Sequence, residues 1–224
     1  MKYLVLITMV LMTLSCKETN KEDQKNTTAE TPEIAPPEES SMSLASLNDV
    51  TIVPIGHASA LLQWNGLQVF IDPVGGAENY ASYGPPDLIL ITDIHGDHFD
   101  LKTLQGLDTS AAKIIVPPAV AEEIPDSFTP QLDILENGQS KERFEINIEA
   151  IPMYNLREEA KDFHVKGRGN GYVLTMGGQR IYFSGDTEDI PEMRTLKNID
   201  KAFICMNLPY TMTVESAASA VLDF

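Results

Sequence analysis

Residues 48–224 predict a layered α/β domain, and three observations carry that prediction. Short β-type runs open the region as a meander, strand-like and helix-like segments then alternate, and one continuous apolar run, Leu88-Ile89-Leu90-Ile91 behind Asp87, has the length and flanks of a strand buried on both faces. A segment of this size is long enough to bury a core of its own.

The meander comes first. Residues 51–55, 60–64 and 67–71 read as strands, and Asn65-Gly66 between the last two supplies the two positive-φ positions of a type I′ turn. Gly84-Pro85-Pro86 bounds the strand 87–91 upstream. Beyond the loop that follows it, residues 101–107 suit a helix capped by Asp100, and 113–116 suit a strand that Pro117-Pro118 ends. A short helix is predicted at 119–123. Phe144 to Ile151 alternates apolar and polar residues, the pattern of a half-buried strand. Residues 172–175 and 180–183 pair as a hairpin about Gly177-Gly178, followed by a helix at 190–196, a strand at 202–206 and a last helix from Val214 with Thr213 as its cap. No motif repeats along the chain.

The loop after the strand 87–91 carries the chemistry. Thr92-Asp93-Ile94-His95-Gly96-Asp97-His98 crowds two carboxylates and two imidazoles at a strand's carboxyl end, and half of the chain's 4 histidines fall there. Oxygen and imidazole donors converging on one point suit a divalent ion of the zinc, manganese or iron kind. The plain alternative is a solvated acidic turn with two incidental histidines, yet no other loop of the chain is built this way.

This loop resembles the HxHxDH signature of the metallo-β-lactamase-fold hydrolases, with Asp93 where the first histidine would stand. Gly56-His57-Ala58-Ser59, Ile71-Asp72-Pro73, Pro152-Met153-Tyr154-Asn155 and Phe183-Ser184-Gly185-Asp186-Thr187 are similar to segments of the lactonase and phosphodiesterase-like branch, the ascorbate-6-phosphate lactonase-like proteins. The resemblance implies an αββα sandwich, the metallo-β-lactamase fold, and a hydrolase using one or two divalent ions (zinc, manganese or iron) on an ester, lactone or phosphodiester. It implies Asp93, His95, Asp97 and His98 as metal ligands, with Asp186 bridging. Relatives carry a histidine where this chain has Asn155, so Asn155 is the candidate ligand there. His164 is a replacement ligand, a proton donor or an ordinary loop histidine. Asp97, His57 and His164 are the candidate catalytic residues, His57 resembling a histidine near the substrate mouth, with a purely structural histidine as the alternative. Asp72 reads as a carboxylate behind a ligand histidine or as a turn-former, and Tyr154 and Arg168 as candidate substrate contacts. Asp93 and Asn155 in place of histidines make one half of the site richer in oxygen, which favours manganese, iron or magnesium over zinc. Related chains run on past the final helix into a strand bearing a last histidine ligand. The resemblance therefore implies a sandwich incomplete at its carboxy terminus, or a site that has lost a part. A catalytically degenerate, surface-anchored binding module of the same fold is the second functional reading.

Ahead of the domain, Met1-Lys2, the apolar stretch Tyr3 to Leu14 and Ser15-Cys16 have the basic start, short core and small residue of an export signal, and the stretch falls short of the roughly 20 residues of a membrane span. Ser15-Cys16 resembles the lipobox of bacterial lipoproteins, which implies a signal peptide over 1–15, a lipidated Cys16 and an exported chain anchored to the bacterial cell envelope; an ordinary cleaved signal is the alternative. Residues 16–47 are polar and acidic, with Pro32, Pro36 and Pro37 and no aromatic residue, and read as a disordered tether. The formal charge of -17 and the lack of a dense basic stretch exclude the usual electrostatic route to nucleic acid. The expected partners are a small-molecule substrate and, through Cys16, a membrane. Cys205, alone in an apolar run, reads as a small buried hydrophobe.

Overall fold

The computed structural model describes residues 49–224; the expected signal, the anchor at Cys16 and the tether lie outside the described residues. Strands β1 (Thr51–Gly56), β2 (Ser59–Trp64), β3 (Leu67–Ile71), β4 (Leu88–Leu90), β5 (Lys113–Val116) and β6 (Leu132–Ile134) pair in that order as a 6-stranded sheet. Pairing is antiparallel up to β3 and parallel from β3 to β6. Strands β7 (Ser140–Arg143), β8 (Ile146–Met153), β9 (Gly169–Met176), β10 (Gln179–Phe183) and β11 (Lys201–Phe203) form a 5-stranded sheet in the order β11-β10-β9-β8-β7. Helices α1 (Leu101–Gly106) and α2 (Pro118–Glu123) follow β4 and β5, while α3 (Pro191–Arg194) and α4 (Val214–Val221) follow β10 and β11.

The two-residue period of the strands sorts their side chains into three cores. Leu88 and Leu90 join Leu62, Val69 and Ile71 against Ile148, Leu174 and Ile181 of the second sheet. Ile89 and Ile91 turn the other way, to Leu104 of α1 and Val120 of α2. On the far side, Val173 and Tyr182 pack with Met193 of α3 and with Ala217 and Ala220 of α4. Three cores between four layers make the αββα sandwich.

The differences from the sequence reading have local causes. Phe144 and Glu145 adopt φ of 54° and 63° and form the turn between β7 and β8, so the strand begins at Ile146. Alternation of apolar and polar residues does not mark where such a turn sits. The polar edge strand β7 and the short β6 lack an apolar signature, and 3₁₀ turns at Ala77–Tyr83 and Asp126–Gln131 were likewise unmarked. β9 starts earlier than expected, at Gly169, because its glycines serve close approach: a Cβ at Gly171 would lie 2.7 Å from the Ser184 carbonyl oxygen. β11 ends at Phe203, and residues 204–207 leave the sheet to line a cleft.

Candidate metal centre

Topology brings the chemistry to one end of both sheets. β3 and β4 run parallel, so Asp72 and the loop after β4 leave side by side, with Asp72 N donating to Leu90 O at 2.9 Å. β9 is antiparallel to β8 and β10, so its start shares the end where those two strands finish. Asn170 N donates to Thr92 O at 2.9 Å and joins the two sheets at that point. All 4 histidines of the chain meet here, in the loops after β1 and β4 and before β9.

Two triads result. His57, Asp97 and His98 offer ligand atoms within 4.8 Å of one another, and so do Asp93, His95 and His164. Asp186, in the turn after β10, stands between them: its Oδ2 lies 3.4 Å from His98 Nε2 and 3.3 Å from His164 Nε2. His98 Nε2 and both ring nitrogens of His164 are buried and make no hydrogen bond. Buried polar atoms without partners are costly and rare. Imidazole nitrogens orphaned beside a shared carboxylate oxygen are what a divalent ion would satisfy, so these residues fit the metal that the sequence motif implies.

Asp72 fixes the orientation of His98. Its Oδ1 accepts from Thr92 N at 2.7 Å, and its Oδ2 accepts from Thr92 Oγ1 at 2.6 Å and faces His98 Nδ1 at 2.8 Å. Asp72 thus holds a proton on Nδ1 and leaves Nε2, the atom that faces Asp186, as the nitrogen an ion would take. This carboxylate stands behind the His98 ring, and the Asp72 φ of 43° also makes the turn after β3. Burial alone would lower the His98 imidazole, but the Asp186 and Asp72 carboxylates on its two sides outweigh burial and hold its pKa up at about 11. Burial likewise acts to raise the Asp186 carboxyl, yet the His164 and His98 rings beside it hold it well below the usual carboxylate range. His95 is pushed down by burial first, with Asp93 opposing and Arg168 reinforcing the shift.

The fold brings His164 beside Asp93 and His95, and the Asn155 side-chain oxygen is likewise buried without a hydrogen-bond partner. Asn155 N donates to His164 O at 2.9 Å, and Asn155 Nδ2 donates to the carbonyls of Ala160 at 2.9 Å and Tyr210 at 2.6 Å, so this residue clips together the two loops that frame the site. Arg168 Nε and Nη2 donate to Asp93, and Tyr154 Oη donates to Glu192 Oε2 at 3.0 Å. His57 Nε2 lies 2.9 Å from Asp97 Oδ2, both side chains about half exposed. A cleft of about 500 Å³ opens over His57, His98 and Asp186 with Phe183, Ile204 and Met206 on its walls, and a polar one of about 300 Å³ opens over His95, His164 and Tyr210.

The sequence profile of the beta-lactamase superfamily domain matches residues 51–223. The chain belongs to that superfamily. The UPF0173 metal-dependent hydrolase of Pyrococcus furiosus is 28% identical over 182 residues, covering 77% of this chain and 79% of that protein. A crystal structure from Parabacteroides distasonis, assigned as a metal-dependent hydrolase, superposes with a TM-score of 0.71 at 40% identity, over 78% of each chain. A metallo hydrolase of the archaeon Ignicoccus hospitalis, 22% identical with a TM-score of 0.62 over 76% of each chain, shares the fold. Within this metallo-β-lactamase superfamily domain, Thr92, which donates to Asp72, the Arg157–Glu188 pair, and Asn207 and Tyr210, which line the clefts, have roles the sequence reading does not assign. Thr92 alone carried a signal, as the first residue after the strand that leads into the motif.

Proposed function

We propose that this metal-dependent hydrolase of the metallo-β-lactamase superfamily acts on an ester, lactone or phosphodiester, using zinc, manganese or iron, and does so at a membrane surface to which a lipid on Cys16 tethers the exported chain. One observation carries the chemical part: the buried, unpartnered Nε2 atoms of His98 and His164 that face a single Asp186 oxygen beside a cleft. Kinship with metal-dependent hydrolases supports it. A divalent ion bound there supplies Lewis acidity and makes a water nucleophilic near neutral pH.

The protein's own residues do the rest. Asp72 and Thr92 hold a proton on His98 Nδ1, and His98 and Asp186 face the cleft with Asp97 beside His98. His57, 2.9 Å from Asp97 at the mouth, is placed to pass a proton to a leaving alkoxide. Phe183, Ile204 and Met206 give the cleft an apolar wall that shields the reacting centre and accommodates the unreactive part of a small substrate.

The experiment is to strip the purified protein with chelator, reload it with each ion, and assay lactone, phosphodiester and β-lactam substrates. Hydrolysis of a lactone or phosphodiester that disappears on stripping and returns on reloading is the expected result. Bound metal with no turnover across the panel would return the chain to the binding-module reading. For the anchor, Cys16→Ser is expected to move the protein from the membrane to the soluble fraction, and an unmodified mature amino terminus downstream of Cys16 would refute it.

A further inference from the structure

The half of the site built on Asp93 carries a fixed cation of its own. Arg168 Nε donates to Asp93 Oδ1 at 2.9 Å and Nη2 to Asp93 Oδ2 at 2.7 Å, the parallel pair of charge-assisted bonds in which a guanidinium fork fits a carboxylate. Nη2 also lies 3.3 Å from His95 Nε2 and donates to Phe163 O at 2.6 Å. The Asp93 side chain is wholly buried and that of Arg168 is 18% exposed, so water screens the pair little. Among the described residues no lysine or arginine forms a salt bridge with Asp97 or Asp186, whose only ion-pair partners are His57, His98 and His164.

We propose that Arg168 takes the place of a second metal ion: the site holds one divalent ion per chain, on the side of Asp97, His98 and Asp186, while the guanidinium neutralises the other half. The inference rests on the metal-dependent reading above and narrows it. A second ion at Asp93 would have to share or break a bidentate pair, and arginine cannot step aside by losing its proton. It would also sit against a like charge in a buried setting, where repulsion is strong. Asp97 and Asp186, by contrast, offer two negative charges without a fixed cation, which one divalent ion balances. The departure at Asp93 becomes intelligible in this light. A carboxylate there presents two coplanar oxygens to the guanidinium fork, which an imidazole cannot do.

The test counts ions and needs no substrate. Chelator-stripped full-length protein is titrated with manganese or zinc by calorimetry, and metal per chain is measured after gel filtration. The parent is expected to bind one ion, with any second bound at least about a hundredfold more weakly. Arg168→Lys, which keeps the charge, is expected to stay at one. Arg168→Gln is expected to take two, and so is Asp93→His with Arg168→Gln, which restores the histidine of the motif and leaves no buried carboxylate unpaired should the single variant fold poorly. Circular dichroism establishes which variants are folded. Two tight ions in the parent, or one ion in every folded variant, would overturn the inference and leave the metal reading standing. No ion in any of them would overturn both.

Discussion

Asp72→Asn isolates the orientation of one imidazole. The substitution is nearly isosteric, and the amide oxygen can still accept from Thr92 N, a bond of 2.7 Å in the parent. The amide nitrogen then faces Thr92 Oγ1 and His98 Nδ1, which stand 2.6 and 2.8 Å from the replaced oxygen. Two N–H groups cannot share that space, so with the Asp72 carboxylate gone His98 accepts at Nδ1 and keeps its proton on Nε2, the atom 3.4 Å from Asp186 that the proposed ion would take. Loading an ion must force the tautomer back and leave a buried donor facing a donor, at a cost of about 1–3 kcal/mol. That corresponds to an affinity loss of roughly 10- to 100-fold, in the range known for groups that orient metal-binding histidines. The assay is competition with a chromophoric chelator, run beside urea unfolding of the stripped proteins to establish that the variant folds. Unchanged affinity in a folded Asp72→Asn protein would refute the claim that Asp72 sets the tautomer.

Three further outcomes follow from contacts elsewhere. Gly171→Ala places a Cβ 2.7 Å from Ser184 O and 3.0 Å from Phe183 O, both backbone atoms; a loss of about 1–3 kcal/mol in urea unfolding is expected, together with weaker metal binding as the turn bearing Asp186 shifts. Asn155→Ala removes the clip on Ala160 and Tyr210 and is expected to lower stability by about 1–3 kcal/mol while keeping the ion, whereas loss of the ion from a folded variant would make Asn155 a ligand. Asp133 of β6 joins Arg143 and Lys141 of β7 and so ties the edges of the two sheets. Burial works to raise its carboxyl pKa, but the two cations outweigh it and the net shift is downward. The stability it adds is therefore present above its unfolded value of 3.8 and lost as pH falls through the folded value. Asp133→Asn is expected to be less stable at pH 7 by about 1–2 kcal/mol and to lose less than the parent between pH 5 and 3; parallel curves would contradict the linkage.

The layers were legible because burial leaves a period in the sequence. Leu88 to Ile91 announces a strand with a core on each face, and those residues do divide between the inter-sheet core and the helices of the first sheet. The motif loop was legible for a different reason: its donors are adjacent in sequence, so no folding knowledge is needed to see them together. Asp186 and His57 were reached only through resemblance, because what places them is the pairing of β9 with β10 and of β1 with β2. β7 was missed since nothing apolar marks an edge strand whose partner is chosen by a two-residue turn at Phe144 and Glu145.

His164 shows where local reading ends. Nothing near it in sequence states whether it faces the site, because its loop is held at both ends by distant charges. At one end Arg157 pairs with Glu188, and Glu188 Oε2 also accepts from Leu156 N and Arg157 N at 2.9 Å each. At the other, Arg168 pairs with Asp93. Buried ion pairs contribute little net stability against apolar substitutes, but breaking one by removing a partner is expensive, so each admits few alternative positions for the chain between them. With both ends so constrained and Asn155 donating to His164 O, the imidazole is delivered to Asp186 by electrostatics rather than by packing. A periodicity argument has no access to such a residue. The carboxylates that receive the two arginines, one in the motif and one two residues beyond Asp186, are what make its position readable.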